Sequence, residues 1–361
     1  MRCTAWVVTA PGVPMARETR DETPGPGEVL VEVAGCGVCH TDLGFYYHGV
    51  PTRHGFPLTL GHEISGTVVA AGPGAAHWTG RAVIVPAVLP CGECEACRQA
   101  RGQVCPRQIF PGSDVHGGFA THVRLPSRGL CPVPDLTDDR VNPGRLDLAS
   151  LSVIADAIST PYQAIVRSGL TADDLAVFVG AGGIGGFGVQ IAAALGATVV
   201  AIDPSADRRA QMAAHGAALT LDPAATDDRG LRRQLRAFAD SRGVPTWRTR
   251  IYETSGTTAG QATAFGLLGH GSYLSVIGYT AEPVELRFSN IMAFDATVQG
   301  NWGCLPDHYP AVLSLVLSGR IALEPFIERR PLAAINEVFA ELHAGRPARR
   351  MVLMPGMTND K

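Results

Sequence analysis

The stretch from residue 175 to residue 216 constrains this chain more than any other. Leu175 to Val179 is an unbroken apolar run of the kind that fills a strand buried on both faces, and it stops at Gly180-Ala181-Gly182-Gly183-Ile184-Gly185. Ile184 to Leu195 then reads as a helix of small residues closed by Gly196. Thr198 to Ile202 is a second strand, and Asp207 to His215 a second helix closed by Gly216. Strand, turn, helix and strand in this order predict a right-handed crossover and a parallel sheet, hence a doubly wound α/β domain. Arg250 to Glu253 and Tyr273 to Ile277 supply later strands, and His308 to Ser318 and Ile335 to His343 supply helices near the end. The first third has another texture. Glu28 to Val33, Ile64 to Ala70 and Ala82 to Pro86 are short β-like runs among glycines and prolines, which predicts an irregular, mostly antiparallel β unit.

Gly180, Gly182 and Gly185 give the pattern G-x-G-x-x-G, with Gly183 and Ile184 inside the turn. In a glycine-rich chain the pattern alone is weak, and a turn that merely packs is the plain alternative. Here a strand precedes it, a helix follows, and Asp203 ends the next strand 18 residues after Gly185. The glycines allow a tight turn and close approach of a pyrophosphate, which the helix N-terminus then binds through its N–H groups. Asp203 accepts from ribose hydroxyls and repels a 2′-phosphate, so NAD is expected rather than NADP.

Cys91, Cys94, Cys97 and Cys105 are spaced C-x2-C-x2-C-x7-C. Four thiolates so close together can enclose one tetrahedral zinc with no open position, the mark of a structural site. Disulfides, free thiols and a DNA-binding zinc ribbon are the other readings of such a cluster. The formal net charge of −3 and the flanking Glu93 and Glu95 argue against a chain that neutralises phosphates, so no nucleic-acid partner is expected. Apolar runs stay well short of the ~20 residues that span a bilayer, and Cys3 to Ala10 reads as a first strand rather than a leader. A cytoplasmic protein is expected, its nine cysteines serving metal more than disulfide chemistry. With Lys361 as its one lysine, the chain lacks the means for Schiff-base chemistry.

Cys36-Gly37-Val38-Cys39-His40-Thr41-Asp42 is followed by Gly61-His62-Glu63. Cys39 and His62 are credible zinc ligands, although a buried cysteine and a core histidine would explain the pair taken alone. With the glycine turn and the four-cysteine lobe added, nearly the whole chain resembles the zinc-dependent medium-chain alcohol dehydrogenase family, through GVCHTD, GHE, CGECEACRQARGQVC and GAGGIGG in that order. The resemblance implies a GroES-like catalytic domain over 1–153, to which 304–361 returns, and a Rossmann domain over 154–303. It implies two zinc ions, one catalytic and one structural. Cys39, His62 and Asp156 match the ligands of the catalytic zinc, with a helix N-cap as the other reading of Asp156. Glu63 matches an acidic residue beneath the metal, Asp42 the carboxylate that orients His62, and Thr41 the hydroxyl that takes the substrate proton. His40 and Arg349 match positions on the pyrophosphate, a plain surface charge being the alternative for Arg349. Ile277, Gly278 and Asn301 match positions facing the cofactor.

The chain departs from the family at Gly44, where a relay histidine often stands, and His48 is the expected partial substitute. An open zinc beside a nicotinamide supports oxidation of an alcohol with hydride transfer to NAD. Gly112 to Phe119, Ser152 to Gln163 and Ala293 to Cys304 further resemble a member type of anaerobic aromatic degradation, whose substrate is an allylic ring alcohol borne on a coenzyme A thioester. A generic alcohol or polyol dehydrogenase shares the same motifs, and a non-catalytic NAD-responsive binding protein is the rival of another class. The family's habit implies a homo-oligomer, commonly a tetramer.

Overall fold

The middle of the chain builds one parallel sheet. In the computed structural model, which describes residues 1–346 and 349–357, its six strands lie in the order Leu219–Leu221, Thr198–Ile202, Leu175–Val179, Thr249–Glu253, Tyr273–Val276 and Thr297–Gly300. Counted along the chain this is 3-2-1-4-5-6, the Rossmann order. Val177 pairs with Val200 on one side and Ile251 on the other, so the apolar run read from the sequence is the central strand. Strand order reverses at this strand, and Gly180 follows its carboxyl end, the switch point where open α/β sheets bind ligands. Leu231 and Leu235 of the helix Asp228–Ser241 and Phe265 of the helix Thr258–Gly266 pack on Val177, Val200 and Ile251. These two crossovers thereby cover the sheet with apolar helix faces.

The GroES-like unit is irregular. Its main sheet runs Ile327–Pro331, Arg350–Met354, Glu28–Gly37, Glu63–Ala71, Ala82–Val85 and Cys131–Pro132, with His122–Pro126 also pairing Glu28–Gly37. All of these pairings are antiparallel except the first, between Ile327–Pro331 and Arg350–Met354. Two register shifts bend the long strand Glu28–Gly37, after Leu30 and after Val33. Such bulges re-aim a strand end, and here the end leads straight into Cys39. The strands Arg2–Val7 and Ala16–Asp21 form a separate antiparallel pair.

The chain divides into two compact units, one holding Met1–Ser159, Gly303–Gly319 and the stretch from Leu323 on, the other Thr160–Trp302 with Arg320–Ala322. The division after Ser159 differs from the expected 153/154 for a physical reason. Ser150–Ala155 is a 3-10 turn with every residue buried against the sheet of the first unit, so the chain has not yet left that core. Asp156 therefore belongs to the same unit as Cys39 and His62. No helix among the described residues is long and apolar enough to cross a membrane.

Candidate metal and nucleotide sites

The strand Glu28–Gly37 delivers Cys39 to the N-cap of the helix His40–Tyr47, and His62 lies just before the strand Glu63–Ala71. Asp156 follows the Ser150–Ala155 turn. These three elements bring Cys39 Sγ to 3.6 Å and His62 Nε2 to 3.5 Å from Asp156 Oδ2. Ligands about 2.0–2.3 Å from a tetrahedral centre lie roughly 3.3–3.8 Å apart, so the spacing suits a metal ion. Both ring nitrogens of the buried His62 make no hydrogen bond, a costly state unless something else binds them. Burial opposes charge on this ring, but Asp42 and Asp156 push its pKa well above the ordinary histidine value. The pocket thus attracts positive charge, and sulfur, imidazole and carboxylate are a donor set that zinc accepts.

Asp42, fully buried, ties the ligand segments together. Its Oδ2 accepts from the Cys39 amide at 2.9 Å and its Oδ1 from the Gly61 amide at 3.1 Å. The same Oδ1 lies 3.4 Å from His62 Nδ1, the placement of a carboxylate that orients a metal-bound imidazole. Thr41 Oγ1 is 3.7 Å from Cys39 Sγ, at the edge of the cluster. His40 opens the helix and is exposed. His48 ends it, exposed, with its ring centroid 5.9 Å from that of His343. Seven residues correspond to about 10 Å of helix rise, so the structure does not bring His48 to Thr41.

Glu63 is buried beside these residues and forms an ion pair with Arg350, whose Nε donates to Oε2 and Nη2 to Oε1. Burial raises the Glu63 pKa against the opposing charge of Arg350. Arg350 is not singled out by the sequence, and its neighbour Arg349, matched there to a pyrophosphate contact, is exposed. The available signal was that Arg350, not Arg349, begins the apolar strand Arg350–Met354 and so shares its burial.

The second cluster is the four-cysteine lobe. Cys94 Sγ lies 3.4 Å from that of Cys97 and 3.7 Å from that of Cys105, and Cys91 lies 3.9 Å from Cys97. None of the nine cysteines is in a disulfide. Sulfurs at 2.3 Å from a tetrahedral zinc would be about 3.8 Å apart, so this lobe fits one ion with no position left open. Among the described residues, cysteine, histidine and acidic side chains converge in these two groups.

In the second unit Gly180 has φ +94°, and a Cβ on Gly185 would run into the Gly180 carbonyl. Asp203 is buried at the end of its strand, where Oδ2 accepts from the Ala181 amide and Oδ1 from the Ser205 amide, both at 2.8 Å. It therefore latches the glycine turn to the next strand, a task the sequence reading did not give it. Gly183 is exposed in the turn and Ile184 caps the helix Gly185–Ala194. Ile277 and Gly278 both donate to the Glu253 carbonyl at 3.0 Å. Asn301 donates to the Thr160 carbonyl and accepts from Gln163 and Arg167.

Two family models match this chain, an alcohol dehydrogenase GroES-like domain over residues 25–135 and a zinc-binding dehydrogenase domain over residues 183–318. The chain belongs to the zinc-dependent medium-chain alcohol dehydrogenases. As a member of that family it is an enzyme, an oxidoreductase acting on CH–OH. It is 28% identical over 333 residues to an alcohol dehydrogenase of Geobacillus stearothermophilus, covering 91% of both chains. It is 29% identical over 341 residues to an L-threonine 3-dehydrogenase of Thermococcus kodakarensis, covering 92% of both. Among solved structures, the alcohol dehydrogenase of Aeropyrum pernix superposes with a TM-score of 0.83 at 27% identity, over 98% of this chain and 100% of that one.

Proposed function

We propose that this dehydrogenase oxidises a secondary alcohol to a ketone with NAD as hydride acceptor. Its substrate on this reading is 6-hydroxycyclohex-1-ene-1-carbonyl-CoA, and its product the 6-oxo enone. The observation that carries the reaction class is the meeting of Cys39, Asp156 and the buried His62, whose Nε2 lies 3.5 Å from Asp156 Oδ2 without a hydrogen bond. The substrate reading rests on the segments Gly112 to Phe119, Ser152 to Gln163 and Ala293 to Cys304.

Zinc held by these three side chains supplies the Lewis acidity that eases removal of the alcohol proton, and NAD supplies the hydride acceptor. The remaining work falls to this chain's own residues. Asp42 keeps the His62 ring in one orientation with Nε2 turned to Asp156. The Thr41 hydroxyl accepts the substrate proton at Oγ1. With glycine at position 44 and His48 two helical turns further on, Thr41 releases it to water or the cofactor's ribose hydroxyls. Gly180, Gly182, Gly183, Ile184 and Gly185 receive the pyrophosphate, and the roles of His40 and Arg349 towards it rest on the family resemblance alone. Ile277, Gly278 and Asn301 border the nicotinamide. Asp203, negative and buried beside the turn, selects against a 2′-phosphate. The four-cysteine zinc staples its own lobe and takes no part in the reaction.

We also infer a cytoplasmic homo-oligomer, tetrameric by family habit. Support comes from the strand Thr297–Gly300, which ends the parallel sheet with one edge unpaired among the described residues. In the segment leading to it Phe288 and Met292 are 73% and 76% exposed.

The test is side-by-side turnover of the cyclic CoA ester, simple alcohols, polyols and threonine, with NAD and with NADP. The expected result is a kcat/KM for the CoA ester at least about 100-fold above that for cyclohexenol, because remote binding energy is spent at the reacting carbon. Equal turnover of both would overturn the substrate reading in favour of a generic alcohol or polyol dehydrogenase.

A further inference from the structure

Three donors converge on one buried carbonyl next to Asp156. The Ala155 oxygen accepts from the Tyr309 hydroxyl at 2.5 Å, from the Ser159 hydroxyl at 3.2 Å and from the Ala87 amide at 3.4 Å. The Ala87 amide also donates to Tyr309 Oη at 3.2 Å, so that the phenol is used as donor and acceptor at once. Tyr309 and Ser159 are wholly buried. The Ala155 carbonyl belongs to the peptide plane that leads into Asp156. On the far side of Asp156 the Ala157 amide donates to Glu63 Oε1 at 3.1 Å, and Glu63 is itself clamped by Arg350.

Both peptide planes that flank Asp156 are therefore held from outside. The residue itself sits at φ −142°, ψ −57°, which neither the 3-10 turn before it nor the helix Ser159–Arg167 after it imposes. Once the flanking planes are set, the direction of the Cα–Cβ bond is set too, and the carboxylate can search only its own side-chain torsions. A hydroxyl buried this deeply stabilises only where its hydrogen bonds are made, and a phenylalanine would fill the same space without it.

We propose that Tyr309 is a positioning residue of the metal site. Its hydroxyl, backed by that of Ser159, fixes the Ala155–Asp156 peptide and so aims the Asp156 carboxylate at Cys39 and His62. Tyr309 stands in the first turn of the helix Tyr309–Leu317, on the segment that returns to the first unit after the Rossmann fold. Completion of the ligand set then waits for a part of the chain made long after the ligands themselves. The proposal rests on the reading of Asp156 as a ligand.

Tyr309→Phe removes one oxygen and keeps the ring. Zinc affinity by chelator competition and the visible spectrum of the cobalt(II)-substituted protein report on the site apart from activity, and zinc at the four cysteines serves as an internal control of folding. Loss of an outer partner of a metal ligand typically costs about 10–100-fold in metal affinity. That loss at the Cys39–His62–Asp156 site, with an altered cobalt spectrum and the four-cysteine zinc retained, is the expected result. Ser159→Ala should give a smaller loss in the same direction. A folded Y309F protein with affinity within about twofold of wild type and an unchanged cobalt spectrum would overturn the proposal. If Y309F does not fold, S159A decides by the same readouts: weakened metal supports the proposal and unchanged metal overturns it. A wild-type protein that holds metal at the four cysteines alone would remove the ligand reading, and the role of Tyr309 with it.

Discussion

Arg349 and Arg350 differ by one position and by everything that position decides. One is exposed, while the other is buried against Glu63 and paired with it through Nε and Nη2. Cys39, Asp42 and His62 stand in two short motifs of the sequence, whereas Asp156, 117 residues from Cys39, is singled out only by the family resemblance. Arg350 and Tyr309 carry no such signal, since their partners lie 287 and 154 residues away, and Ser159, only four residues from Ala155, has no motif to mark it. His116 carries a prediction at this scale. Burial, with the positive charges of Arg20, His54 and Arg124 around it, pushes its pKa down to about 4 from 6.5, and Nδ1 accepts from the Thr59 amide. Between those two values the unfolded chain binds the proton and the folded protein resists it. The stability contributed by neutral His116 is therefore complete above about 6.5 and is lost as pH falls towards 4. His116→Asn should flatten the dependence of Tm on pH across that window; a slope identical to wild type would refute the assignment.

Elements were legible where burial writes a period into the sequence. The strands Leu175–Val179 and Thr198–Ile202 lie where their apolar runs end, and the helix Ile335–His343 has the predicted limits. The strand Ala16–Asp21, with the sequence ARETRD and almost no burial, has no such period. It is a strand because Arg2–Val7 pairs with it over six residues, a tertiary cause that the segment does not carry. The helix Asp228–Ser241 escaped notice because its inward face is narrow and the rest is largely arginine and aspartate. The glycine turn is the element on which cofactor binding depends. A methyl group on Gly185 would meet the Gly180 carbonyl and lie 2.6 Å from Thr254 Oγ1, so the turn must open to admit it. Overpacking of this kind costs about 1–3 kcal/mol. Gly185→Ala should therefore weaken NADH binding by roughly 5- to 150-fold in a fluorescence titration while both zinc ions stay bound; an unchanged Kd would contradict this function for the turn.

At the scale of the molecule, the proposed catalytic ligands all come from the first unit and the glycine turn from the second. The boundary between the units fell six residues beyond the expected one because Ser150–Ala155 stays in the first core, a matter of packing that composition does not reveal. The reaction class stands on one physical condition, that the first unit grips a second metal ion besides the one in its four-cysteine lobe. Elemental analysis of the purified protein and of His62→Ala tests this most directly. About two zinc per chain are expected in the wild type and about one in H62A, with NAD-dependent alcohol oxidation lost in the variant. One zinc per chain in the wild type, or two retained in H62A, would contradict the account.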